Sequence, residues 1–151
     1  MLRSMMNAVM LSGSVLLGAS VAHAGDPLVT GDEHWRAGRL EAAEASFLAA
    51  AADDARDLEA RMKLAGLRLS QQRYSDAIPV YQEAIGIDGG DDRAFIGLAI
   101  SYLHLQNLAL AEAALEEALR INPARREDLA PLVDSIRRRR EAMASHPSGG
   151  P

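Results

Sequence analysis

Laid on itself at a spacing of 34 residues, the chain puts Ala111 over Ala77 and Ala43. Neighbouring columns line up too: Ala118, Ala84 and Ala50; Leu115, Tyr81 and Phe47; Leu108, Tyr74 and Leu40. Upstream, Leu98 stands over Leu64, and Ala99 over Ala65 and Gly31. A fixed period of this size means one small helical or strand unit repeated, and such a unit cannot bury its own apolar face. About three stacked copies are needed, closed by polar ends. Small residues recur where two helices approach closely, and large ones recur one turn away, where they fill the gap.

The third copy shows what the unit is. Phe95, Leu98, Ala99 and Tyr102 follow helical spacing as one apolar stripe. Asn107 marks a turn. Leu108, Ala111, Leu115, Ala118 and Leu119 form a second stripe, which Asn122-Pro123 ends. The unit is helix, tight turn, antiparallel helix. The pattern predicts helices near 26–37, 40–52, 56–71, 74–86, 91–105 and 108–120, with a last helix within 124–144. Asp26 before Pro27 suits an N-cap followed by proline at the first helical position. Pro79 falls inside a predicted helix and is expected to kink it or loosen its first turns. In the last helix Leu129, Leu132, Val133, Ile136 and Met143 share a face, with Arg137, Arg138, Arg139 and Glu141 around it, as a polar cap requires. Pro131 sets its regular start near Asp128, with the proline in the first turn. The Ser-, Gly- and Pro-rich tail 145–151 reads as disordered.

The run aromatic-x-x-Leu-Ala-x-x-Tyr, then Ala-x-x-x-Leu-x-x-Ala, then Pro, from Phe95 to Pro123, resembles the tetratricopeptide repeat family. The resemblance covers 24–123. In the second copy Ala77, Tyr81 and Ala84 fit, while Arg68 stands where the family has Tyr and Gly89 where it has Pro. The first copy follows the pattern from Gly38 to Ala50, but its leading helix departs at Pro27, Thr30 and His34. The resemblance implies an all-α fold: an α-α superhelix of three stacked helix-turn-helix repeats, at 24–57, 58–91 and 92–125, with a C-terminal capping helix at 126–144. Residues 25–144 then form one domain.

The resemblance also implies a concave groove lined by the leading helices. Its columns are Leu28, Met62 and Ile96; Asp32, Gly66 and Ile100; Trp35, Leu69 and Leu103. The third leading helix shows a spare apolar face without help from the family. Phe95, Leu98 and Tyr102 occupy one side, and Ile96, Ile100 and Leu103 another. A helix apolar nearly all round is buried on both sides or keeps one for a partner. Family members that grip a C-terminal carboxylate use Lys, Arg and Asn in the groove. These columns lack them, so that activity is not carried over. The groove residues Leu28, Trp35, Met62, Leu69, Ile96, Ile100 and Leu103 suit an apolar protein or peptide segment, such as an amphipathic helix. Burying four such side chains yields roughly 6–12 kcal/mol gross. Association costs of about 4–15 kcal/mol leave a weak to moderate affinity. The sequence leaves the strip open to a partner, covered by the final helix, or buried against a second copy of the chain.

Composition removes several alternatives. The chain has no cysteine, which excludes disulfides, thiolate metal sites and a cysteine nucleophile. A net charge of −5 gives no general attraction to nucleic acid or anionic membranes. Arg3 is the only charge in residues 1–24, an apolar run spans Ala8 to Ala22, and Ala22-His23-Ala24 follows. That is the pattern of a secretory signal peptide, with an apolar run shorter than the roughly 20 residues of a spanning helix. Cleavage after Ala24 is expected, leaving an exported, periplasmic protein with no stable membrane anchor.

Four local features invite chemistry and have plainer readings. Asp88-Gly89-Gly90-Asp91-Asp92 lacks the alternating acids and distal Glu of a calcium loop, and reads as a turn and an N-cap. His34 has no histidine at ligand spacing, so it reads as solvated or packed. Arg137 to Arg140 spread around a helix as a solvated cap rather than one patch. Trp35, the only tryptophan, is an anchor of the first repeat or a groove contact. No acid–base–nucleophile constellation, phosphate loop, metal site or cofactor site is present, so no catalytic residue is named and an enzyme is not expected. The function expected is an exported scaffold or adaptor, with envelope assembly as its setting. The rival is a self-associating structural protein that uses the same strip.

Overall fold

A computed structural model of the chain describes residues 25–145. They form α1 (Pro27–Arg36), α2 (Leu40–Asp53), α3 (Leu58–Ser70), α4 (Tyr74–Ile87), α5 (Asp92–His104), α6 (Leu108–Ile121), a 3-10 turn (Pro123–Arg125) and α7 (Arg126–Ser145). No strand occurs among the described residues. The first six helices begin and end within two residues of the sequence expectation. The signal pattern in residues 1–24 and the tail after Ser145 lie outside the described residues, and Ser145 itself closes α7.

Each helix packs on the next in the chain, from α1 through α7. The repeat columns are the core of this stack. Ala43, Ala77 and Ala111 are fully buried, as are Ala65, Ala99, Ala84 and Ala118. Phe47, Tyr81 and Leu115 fill the space one turn away. Two glycines carry the closest approaches. A Cβ on Gly31 would stand 2.4 Å from Phe47 Cε1, and one on Gly97 would stand 2.2 Å from Tyr81 Cζ. No side chain larger than hydrogen fits at either position unless the rings move.

The turn inside each repeat is built the same way three times. Gly38, Gln72 and Gln106, 34 residues apart, have φ of 73°, 62° and 62°. In the third repeat Gln106 N donates to Leu103 O (3.2 Å) and Asn107 N to Tyr102 O (2.9 Å), and the first two repeats have the same pair of bonds. This pair of hydrogen bonds around one left-handed residue satisfies two of the last carbonyls of the leading helix. The starts of the leading helices are capped by aspartates. Asp26, Asp57 and Asp91 accept from the backbone N–H of Leu28, Ala60 and Arg93 at 2.9 Å each. Asp88 accepts from Gly90 N (2.8 Å), so the acidic loop before α5 is a turn followed by a cap.

α4 continues through Pro79, its sixth residue, to Ile87, and the Ser75 carbonyl loses an N–H donor there. Close by, the Arg68 guanidinium donates to the Asp76 carbonyl at 3.2 Å. α7 starts at Arg126, directly after the 3-10 turn, so Pro131 stands in its second turn rather than its first. Met143 is 63% exposed, off the buried face. Met143 faces the α5–α6 turn, where it lines a shallow opening with Leu105 to Ala109, rather than the buried seam with α6. Leu129 and Ile136 are buried there, and Leu132 and Val133 pack half-buried on the core.

Candidate functional site

Residues four and three apart on a helix share a face. Leu28, Asp32 and Trp35 therefore form a strip along α1, Met62, Gly66 and Leu69 along α3, and Ile96, Ile100 and Leu103 along α5. Two contacts bring α1 beside α3. Lys63 Nζ lies 3.0 Å from Asp32 Oδ1, and Trp35 Cη2 lies 3.5 Å from where a Cβ on Gly66 would stand. α3 and α5 also touch directly. The three strips thus lie side by side.

Leu28, Trp35, Met62, Leu69 and Ile96 are half-buried, each with one side packed on the core. Ile100 is half-buried as well. Leu103 departs from the expectation: at 6% exposure it belongs to the core and offers little surface. Arg139 of α7 donates to its carbonyl at 3.1 Å, which ties α7 to the end of α5. α7 packs on α6 and the 3-10 turn rather than across α1 and α3. The six remaining apolar residues keep an accessible side.

Trp35 is both anchor and wall. Its ring meets Phe47 edge-on at 6.0 Å between centroids, and its Cη2 edge borders Gly66. Beside it, Asp32 holds two cations, Lys63 at 3.0 Å and Arg36 at 3.7 Å. The Asp32–Arg36 pair was readable as an i, i+4 spacing. Lys63 reaches Asp32 from the neighbouring repeat, and no local pattern announces that contact.

Arg68 shows what replaces a tyrosine at the repeat position that Tyr102 holds in the third copy. Its Nε donates to Glu44 Oε1 at 2.9 Å, while Arg73 Nη1 donates to Glu44 Oε2 at 2.6 Å. This network joins α2, α3 and the start of α4. The Arg73 hydrogen bond is the main cause that holds the Glu44 carboxyl below its ordinary range. Partial burial pushes the other way, and Arg68 adds to the lowering.

The other singled-out residues are structural. His34 Nδ1 accepts from Arg39 Nε at 2.8 Å. Arg137 pairs with Asp134 along α7 (3.5 Å), Arg139 reaches Leu103 O, and Arg140 pairs with Glu112 of α6. The basic run is thus divided among three directions. A cleft of about 590 Å³ lies where α7 leaves α6, floored by Leu115, Leu119, Val133 and Ile136 and rimmed by Glu112, Glu116, Arg137 and Arg140. Among the described residues no group of three or more His, Asp or Glu could hold a metal ion, and no helix is long and apolar enough to cross a membrane.

Two family models described as tetratricopeptide repeat match this chain, over residues 28–92 and 68–135. Similar solved structures include the first TPR domain of the human RPAP3 protein, with a TM-score of 0.67 and 16% identity over 82% of this chain and 94% of that one. The TPR2B domain of yeast Sti1, in a complex with pHsp70, has a TM-score of 0.69 and 17% identity over 74% and 94%. The Yersinia enterocolitica type III secretion chaperone SycD, in complex with a peptide of the translocator YopD, has a TM-score of 0.69 and 21% identity over 77% and 91%. At these identities the likeness is one of fold. No curated protein matches the chain in sequence.

Proposed function

This chain belongs to the tetratricopeptide repeat family, and on that premise we propose that it is a binding module for a protein or peptide segment, seated on the strip formed by α1, α3 and α5. One observation carries the reading. Leu28, Trp35, Met62, Leu69, Ile96 and Ile100, from three successive leading helices, keep an accessible apolar side that no other described helix covers. Half-buried apolar side chains presented by three adjacent helices are what an amphipathic helix covers when it lies in a groove. The signal pattern in residues 1–24 supports an exported, periplasmic adaptor, with envelope assembly as its setting.

A photo-crosslinking residue introduced beside Ile100 in intact cells is expected to capture one defined protein. Ile100→Asp is expected to abolish that capture and leave the helical circular dichroism unchanged. Unfolding of Ile100→Asp would make the strip core and end the proposal. Captured copies of this chain alone would assign the strip to self-association. The exported protein is expected to begin at Gly25, and a start at Met1 would overturn the signal reading.

A further inference from the structure

Helical glycines among the described residues fall into two kinds. Gly31 and Gly97 are demanded by the rings of Phe47 and Tyr81. Gly66 is not demanded by packing. A Cβ there would meet only Trp35 Cη2, at 3.5 Å, an ordinary contact. Its φ is not positive. Gly66 stands in the middle of the 13-residue α3, where glycine weakens a helix relative to alanine. Gly86 is equally unhindered, but it is exposed in the last turn of α4, where a helix frays. Gly66 instead lies on the strip, between Met62 and Leu69 along α3 and beside the edge of Trp35.

We propose that Gly66 forms a notch in the floor of the strip, walled by Trp35, Met62 and Leu69, which takes one large apolar side chain of a bound helical segment. This rests on the groove reading above and specifies its occupant. Repeat positions equivalent to Gly66 hold Asp32 and Ile100, so the floor is bare only at the centre. Beside the notch, Lys63 and Arg36 both stand within 4 Å of Asp32, two cations placed to meet an acidic side chain of a bound segment as well. The complementary segment belongs to a partner protein. It carries a Phe, Leu or Met that enters the notch and an Asp or Glu about one turn away.

The test uses the full chain and synthetic helical peptides of about 15 residues on one amphipathic scaffold with Glu one turn from the centre. The central residue is Ala, Leu or Phe, and binding is read from Trp35 fluorescence. The Leu and Phe peptides are expected to bind about tenfold tighter than the Ala peptide, the gain from burying one large side chain. Gly66→Leu, which fills the notch, is expected to bring that ratio to about one. Gly66→Ala is expected to keep or raise the thermal midpoint. A size preference that survives Gly66→Leu overturns the notch, and so does a lower midpoint in Gly66→Ala, which would make the glycine a packing requirement. Binding with no size preference in the wild type removes the notch alone. Absence of binding by every peptide removes the groove reading and the notch together.

Discussion

The ring of Tyr81 rests on Gly97, with its Cζ 2.2 Å from the point where a Cβ on residue 97 would stand. α4 and α5 of adjacent repeats meet at this contact, so the spacing between repeats is set by a missing methyl group. Gly97→Ala is expected to lose about 2 kcal/mol, since overpacking outweighs the gain in helix propensity. Urea unfolding measures it. Tyr81→Leu combined with Gly97→Ala is expected to recover part of the loss, because Leu115 already fills the same repeat position in the third copy. Burial pushes the Tyr81 phenol up to about 12. The unfolded chain therefore loses this proton first. The contribution is fully present below the ordinary phenol range and is lost as pH rises toward about 12.

Gln72 and Gln106 hold left-handed backbone that Gly38 holds without strain. Gln72→Gly and Gln106→Gly are each expected to stabilise the chain by about 0.5–1 kcal/mol, and Gly38→Gln to destabilise it by a similar amount. Chemical unfolding midpoints with unchanged slopes would establish both signs. A loss in either glutamine variant would show that the side chains contribute more than the strain costs.

Glu44 is held below the usual carboxylate range by Arg73 and Arg68. A depressed carboxyl stabilises the fold above its unfolded pKa, and that contribution is lost as pH falls through the folded value. Glu44→Gln is expected to cost about 1–2 kcal/mol at neutral pH. The gap between variant and wild type should close as pH drops below the ordinary carboxylate range. A gap independent of pH would assign the loss to packing.

Ile136 and Met143 share the same predicted stripe of α7 yet differ in environment, at 3% and 63% exposure. Ile136→Ala is expected to cost about 2–4 kcal/mol. Met143→Ala is expected to stay within about 0.5 kcal/mol of wild type. Thermal unfolding of the pair tests where the support of α7 ends.

The fold was legible because the 34-residue offset puts Ala43, Ala77 and Ala111 in register, and one good copy then dates the others. Helix ends followed from that register, with Asp26-Pro27 as a readable start. Less was legible where the cause lies in another element. Asn107 announces the turn, but the left-handed residue is Gln106, whose side chain does not advertise it. Pro79 and Pro131 sit where a helix loses one hydrogen bond and still continues. The sequence pattern put Leu103 in the groove, but the side chain is part of the core at 6% exposure. The apolar strip itself was readable from Ile96 and Ile100. Its floor was not, because nothing in the spelling of Gly66 separates a glycine required by a ring, like Gly97, from one that leaves a space.

Because each helix touches chiefly its neighbours in the chain, the molecule is a line of couplings, and such a line opens first at an end. If α1 and α2 peel away, Leu28 and Trp35 leave with them while α5 and α6 can stay closed. A segment lying across all three leading helices would then act as a clasp, adding its own binding free energy to the work of opening the N-terminal end. Ligand release and fraying of α1 become one event, and the amide exchange rate of α1 reports how long the clasp stays shut.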